Sequence, residues 1–141
     1  MKLILFIHED TAKNGLVLKK IIQQNFKQIE TEVFLTFNAF KNRLKQVSYY
    51  DREIFILLAD SKKRLNELTS LIDLMDDKRI LLILPDDSKS TVSMAHQFFP
   101  RFFTHITDTY DDLCSVLSKM TNKKNVDKYN KNDECNKIVW T

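Results

Sequence analysis

The chain has 141 residues, 43% apolar and 29% charged, a balance that fills one hydrophobic core and is too short for two domains. Its formal net charge is +3, and +2 of that lies in the last twenty residues, where five lysines stand against Asp127, Asp133 and Glu134. The body is near neutral and shows no concentrated basic stretch, which argues against a nucleic-acid partner.

Cys114 and Cys135 lie far apart, one on a helical apolar face and one in a polar stretch. They make neither a disulfide framework nor a metal-ligand spacing, so a reducing cytoplasm is the expected compartment. The opening MKLILFIHED has too short an apolar run for a signal peptide, or for a membrane span of about 20 residues. The chain holds a single glycine, Gly15. Phosphate-cradling loops need several, so a P-loop and a Rossmann fingerprint are both excluded and no nucleotide is expected.

In chain order, Lys2 to Ile7 (KLILFI) reads as a strand buried on both faces. Leu18, Ile21, Ile22 and Phe26 then form the stripe of an amphipathic helix. Glu32 to Phe37 (EVFLTF) reads as a second strand, and Phe40, Leu44 and Val47 as a short helix. Glu53 to Ala59 (EIFILLA) is the strongest strand pattern, leading into a helix of about three turns through Leu65, Leu68, Ile72 and Met75. Arg79 to Leu84 (RILLIL) is a fourth strand, stopped by Pro85. Val92, Ala95 and Phe99 mark a helix ended by Pro100, Phe102 to Ile106 a weaker fifth strand, and Leu113, Val116, Leu117 and Met120 a last helix. Strict β–α alternation implies a parallel sheet covered on both faces. Residues 1–120 read as one domain and 121–141 as a polar tail. Its closing Ile138-Val139-Trp140 could dock on the body or a partner, a frayed terminus being the plainer reading.

In such a sheet, ligands bind at the carboxyl ends of the strands. His8, Glu9 and Asp10 follow the first strand, Asp60 the third, Asp86 and Asp87 the fourth, and Asp108 the fifth. Clustered carboxylates suit Mg²⁺. The plainer reading is helix capping, which Asp60-Ser61, Asp87-Ser88 and Asp111 all fit. His8 and His105 could be ligands or pH-sensitive groups, although isolated histidines are more often structural.

An acidic pair after strand one (IHED) and an Asp near the end of strand three (LLAD), in five β–α units, resemble a response-regulator receiver domain over residues 2–120. The resemblance implies a three-layer doubly wound α/β fold with flavodoxin-like strand order 2-1-3-4-5. It further implies that Glu9 and Asp10, with His8 at the first acidic place, hold Mg²⁺, and that Asp60 accepts phosphate. Apolar register equally allows Leu58 at the acceptor place. The match is degenerate elsewhere. Leu84 stands where the family has a Thr or Ser, and Ile106 where it has a Lys followed by Pro. Ser61-Lys62-Lys63-Arg64 replaces the Pro- and Gly-bearing loop; Lys62, Lys63 or His105 could compensate for the lost Lys, though a solvated face is the plainer reading of the two lysines.

Phe98, Phe99, Phe102, Phe103 and Tyr110 crowd the helix 4–strand 5 region, a density that suits an interface, although at least three of the five are expected in the core. Phe99, Phe102 and Tyr110 are the interface candidates. The expected function is therefore a non-enzymatic signalling module of the cytoplasm, with a weakened or absent phosphorylation switch. Its partner would be a histidine kinase, a downstream signalling protein or a second copy. The alternative is a working Mg-dependent phosphoacceptor using Asp60. A flavodoxin-like flavin site is disfavoured, because the carboxylates of HEDTAKNG would repel a phosphate. No Ser-His-Asp or Cys-His arrangement emerges.

Overall fold

The computed structural model describes residues 1–11, 13–46 and 53–121. The first strand, β1 (Lys2–Phe6), is followed by a 3₁₀ turn at Glu9–Thr11, α1 (Lys13–Asn25), β2 (Glu30–Phe34) and α2 (Phe37–Leu44). Next come β3 (Glu53–Leu58), α3 (Lys62–Thr69), a 3₁₀ turn at Ile72–Met75 and β4 (Arg79–Leu84). The chain continues through α4 (Lys89–His96), β5 (Phe102–His105) and α5 (Asp111–Thr121). All five strands are parallel, in the order β2-β1-β3-β4-β5, the parallel sheet that the alternation implied, in the flavodoxin-like order that the receiver resemblance implied.

The central strands β1, β3 and β4 are apolar after their first residue because both of their faces are covered. With a side-chain period of two, alternate residues serve opposite cores. Ile4, Phe6, Phe55, Leu57, Ile80, Leu82 and Leu84 meet Phe40 and Leu44 of α2, Leu65 and Leu68 of α3, and Ala95 of α4. Leu3, Leu5, Ile54, Ile56, Leu58, Leu81 and Ile83 meet Leu18 and Ile22 of α1 with Leu113 and Leu117 of α5. Gly15 lies buried in α1, where a Cβ would stand 2.3 Å from Ile7 Cγ2 and 2.5 Å from Thr11 Oγ1.

Three elements differ from the sequence reading. β2 ends at Phe34, not Phe37, because the Thr36 hydroxyl accepts a hydrogen bond from the Ala39 amide (3.2 Å) and starts α2 there. Val47 lies outside the described residues. The third helix stops at Thr69, where the Ser70 hydroxyl donates to the Glu67 carbonyl (2.7 Å), and its apolar stripe continues as the separate 3₁₀ turn. α4 stops at His96, and Phe98, not Phe99, turns into the core.

At the amino end of the sheet, Arg43 is buried against two carboxylates. Its Nε donates to Glu32 Oε1 at 2.9 Å, and Nη2 donates to Glu53 Oε2. Lys2 Nζ adds a 2.8 Å bond to Glu32 Oε2. Burial pushes the Glu32 carboxyl upward, but the hydrogen bonds from Lys2 and Arg43 outweigh it and leave its pKa below 4.5. A depressed carboxyl stabilises the fold above its unfolded pKa, and that contribution disappears as pH falls through the folded value. Urea unfolding followed by circular dichroism is therefore expected to show stability declining as pH drops below about 4.5. Glu32→Gln should flatten that decline, and an unchanged slope in this variant would refute the assignment.

Candidate functional site

The polar residues that follow the strands gather at the carboxyl rim of the sheet. After β1 the chain turns tightly: the Glu9 amide donates to the Leu35 carbonyl (2.9 Å), while the Thr11 amide and hydroxyl both donate to the His8 carbonyl (2.9 and 2.7 Å). The Asp10 amide donates to His8 Nδ1 at 3.1 Å. Glu9 and Asp10 both point outward, the Asp10 side chain being 72% exposed. Asp60 follows Ala59 at the end of β3, with its carboxylate largely covered. Leu58 is fully buried in the α1–α5 core, which leaves Asp60 as the first polar side chain past the strand.

Arg64 joins these two loops. The Ser61 hydroxyl caps α3 by accepting the Arg64 amide (3.1 Å), and one helical turn of spacing brings the guanidinium back over Asp60. Its Nε lies 3.3 Å from Asp60 Oδ1 and its Nη2 3.7 Å from Asp10 Oδ2, while Nη1 bonds Glu67 Oε1 at 3.1 Å. The Arg64 side chain is only 14% exposed. A guanidinium thus stands between the carboxylates that the receiver resemblance assigns to Mg²⁺ and phosphate. Among the described residues no three His, Cys, Asp or Glu side chains are grouped to hold a metal. The Asp10 and Asp60 carboxylates face Arg64 instead. Lys62 and Lys63 are exposed. Beside Arg64 opens a cleft of about 410 Å³ lined by His8, Phe37, Arg64, Glu67 and Ser70.

Leu84 is fully buried, its carbonyl accepting the Ile106 amide at 2.9 Å, and Ile106 packs against the α1–α5 core. Beside them Asp108 Oδ2 accepts the Thr104 hydroxyl (2.7 Å) and lies 3.1 Å from His105 Nδ1. These contacts, Thr104 foremost, hold the Asp108 carboxyl below the usual range. Of the Asp60-Ser61 and Asp87-Ser88 pairs the serines are the caps, Ser61 for α3 and Ser88 for α4. Asp86 instead accepts hydrogen bonds from Thr91 and from the Ser88 backbone and hydroxyl, which bring its pKa to about 2. Burial raises the Cys114 thiol, an environment that works against thiolate chemistry; Cys135 lies outside the described residues.

Of the five rings near α4 and β5, Phe98 and Tyr110 are buried, while Phe102 and Phe103 are half-buried against the two cores. Tyr110 is thereby withdrawn from any interface. Phe99 is 83% exposed and its backbone φ is 49°, the left-handed region that disfavours a bulky L-residue by roughly 1–2 kcal/mol. Phe99→Gly should accordingly raise the unfolding free energy by about 1 kcal/mol in urea titration; a loss of stability would refute the strain.

The sequence reading passed over Arg64 as part of a replaced loop. The signal was the Asp60–Arg64 spacing of four residues behind a Ser cap, which marks a salt bridge on the first helical turn. No protein-family model matches the chain, and a search of curated proteins found no match to it. Among the described residues no helix is long and apolar enough to cross a membrane.

Proposed function

We propose that this chain is a signalling module that acts by binding proteins, resembling a receiver domain whose phosphorylation switch is weakened or absent. One observation carries the reading: the Arg64 guanidinium pairs with both Asp10 and Asp60. A tethered cation there neutralises the acceptor carboxylate and competes with a divalent ion for the same oxygens. Leu84 and Ile106, apolar at the two remaining switch positions, offer an arriving phosphoryl group neither a hydroxyl nor an ammonium. Phe99 supports the binding half of the proposal, because an exposed aromatic ring held at a strained backbone position costs stability that a partner contact can offset. The partner is a protein, a signalling kinase or downstream component or a second copy of the chain, and the compartment is the cytoplasm.

The test is amide NMR during titration with Mg²⁺ and beryllofluoride, which mimics an aspartyl phosphate. The expected result is no saturable shift at the end of β3 or in α4. Saturable shifts that vanish in Asp60→Asn would overturn the proposal in favour of a working phosphoacceptor.

A further inference from the structure

The cleft of about 410 Å³ beside Arg64 opens where the loop after β1, the first turn of α2 and helix α3 meet. The residues lining it all lie within the described chain, whereas Ile138-Val139-Trp140 lies outside it. Its volume falls in the range of small-molecule sites, which combine apolar walls with a few placed polar groups. Both ingredients are present. Phe37 is half-buried against the core beneath α2, α3 and α4. The His8 ring is 17% exposed and stands edge-on to Phe6, with 6.2 Å between ring centres. Close packing holds both rings in place.

The polar wall is a pair of opposite charges. Arg64 Nη1 donates to Glu67 Oε1 at 3.1 Å, the guanidinium largely covered and Glu67 40% exposed. A guanidinium carries one hydrogen on Nε and two on each Nη. The Nε hydrogen goes to Asp60 and one Nη1 hydrogen to Glu67. Nη2 stands 3.7 Å from Asp10 Oδ2, an ion pair beyond hydrogen-bond length. Nη1 and Nη2 therefore each retain a hydrogen for a further acceptor. Glu67 engages Arg64 through Oε1, which leaves Oε2 for a further donor. The Ser70 hydroxyl gives its proton to the Glu67 carbonyl (2.7 Å) and keeps its lone pairs.

We infer that this cleft binds a free α-amino acid with an apolar side chain. The carboxylate sits on Arg64, the ammonium between Glu67 and Ser70, and the side chain against Phe37. The pairing of charges carries the inference. A bare anion would meet Arg64 but also Glu67, with Asp10 and Asp60 behind the guanidinium; a doubly charged phosphate is disfavoured most. A bare amine would serve Glu67 and leave the spare guanidinium hydrogens unused. An α-amino acid carries both charges on neighbouring groups, as the cleft carries them 3.1 Å apart. Each charge then meets its opposite, and the covered guanidinium strengthens the bond relative to open water. A further charge on the ligand side chain would find only Phe37 and His8, which selects aliphatic or aromatic side chains. The site stands apart from the receiver resemblance and gives the module an input other than phosphate.

Isothermal titration calorimetry of the full chain with L-leucine and L-phenylalanine is expected to show saturable binding with a Kd of about 1 mM. Leucinamide, without the carboxylate, and N-acetyl-leucine, without the ammonium, should each bind about tenfold more weakly, the loss of one charged hydrogen bond. Glu67→Gln keeps the size of the side chain and removes its charge. It should leave the far-UV circular dichroism unchanged and weaken L-leucine by about tenfold. As a second measurement, L-leucine should shift amide resonances of His8, Phe37 and Ser70 in the wild type. No saturable binding of either amino acid, equal binding of leucinamide or N-acetyl-leucine, or an affinity indifferent to Glu67→Gln would each overturn the inference. Amide shifts confined to residues away from the cleft would overturn it as well.

Discussion

Replacing Arg43 with alanine is expected to lower the unfolding free energy by about 3–5 kcal/mol, the cost of removing one partner from a buried ion pair. The side chain is 8% exposed and its guanidinium serves Glu32 and Glu53 together. Burial alone would lower its pKa, yet the hydrogen bonds it donates to these carboxylates leave it raised. Without Arg43, Glu53 keeps a carboxylate facing the interior, where its Oε1 already lacks a hydrogen-bond partner among the described residues. Glu32 retains Lys2, so Glu53 supplies most of the penalty. Arg43→Lys should recover only part of the loss, because a single ammonium cannot reproduce a fork that reaches two carboxylates from one planar group. Urea titrations of Arg43→Ala, Glu53→Gln and the double variant measure the coupling directly. Additive effects would mean that the stability lies in the packing of the Arg43 stem and not in the pair.

Gly15→Val is the second large change, with an expected loss of about 3 kcal/mol. Helix propensity alone would make Gly15→Ala favourable by about 0.8–1.0 kcal/mol. The space around the residue reverses that sign. A Cβ would fall within 2.5 Å of both Ile7 Cγ2 and Thr11 Oγ1, and neither neighbour yields easily. Ile7 is β-branched and fixed at the end of β1, and the Thr11 hydroxyl is engaged with the His8 carbonyl. Relief requires moving α1 outward or opening the turn that carries Glu9 and Asp10. Gly15→Ala should therefore be destabilising by about 1–2 kcal/mol, and Gly15→Val should also perturb the amides of residues 8–11. A stabilised Gly15→Ala would show that the helix seats itself without this close approach.

The same residue shows how much of the molecule was legible in the sequence. The lone glycine excluded phosphate-cradling loops, and the continuous apolar runs of β1, β3 and β4 announced a sheet covered on both faces. These are repeated signals, reinforced in every unit, and the strand order followed from the family likeness they supported. Single-residue events were harder to read. Thr36 could extend a strand or cap a helix, and only the hydrogen bond to Ala39 decides between them. Phe98 and Phe99 are chemically identical neighbours, and the end of α4 sends one into the core and the other into solvent. At the rim, the acidic residues stood where the alternation placed them, but their consequence depended on Arg64. Its charge was visible, and its direction was set by the Ser61 cap and one turn of helix.

The strand order also determines which backbone is left unpaired. β2 and β5 flank the sheet, and each presents a row of amides and carbonyls that a neighbouring molecule could extend into a continuous ladder. The two strands are guarded differently. β2 places Glu30 and Glu32 along its length, so a second copy pairing in register would set like charges against each other. β5 is four residues long and ends in the Thr104–Asp108–His105 cluster, too little straight backbone to template a fibril. The exposed Phe99 ring and the sheet edges thus differ: the ring offers a contact, and the strands beside it offer little backbone to extend.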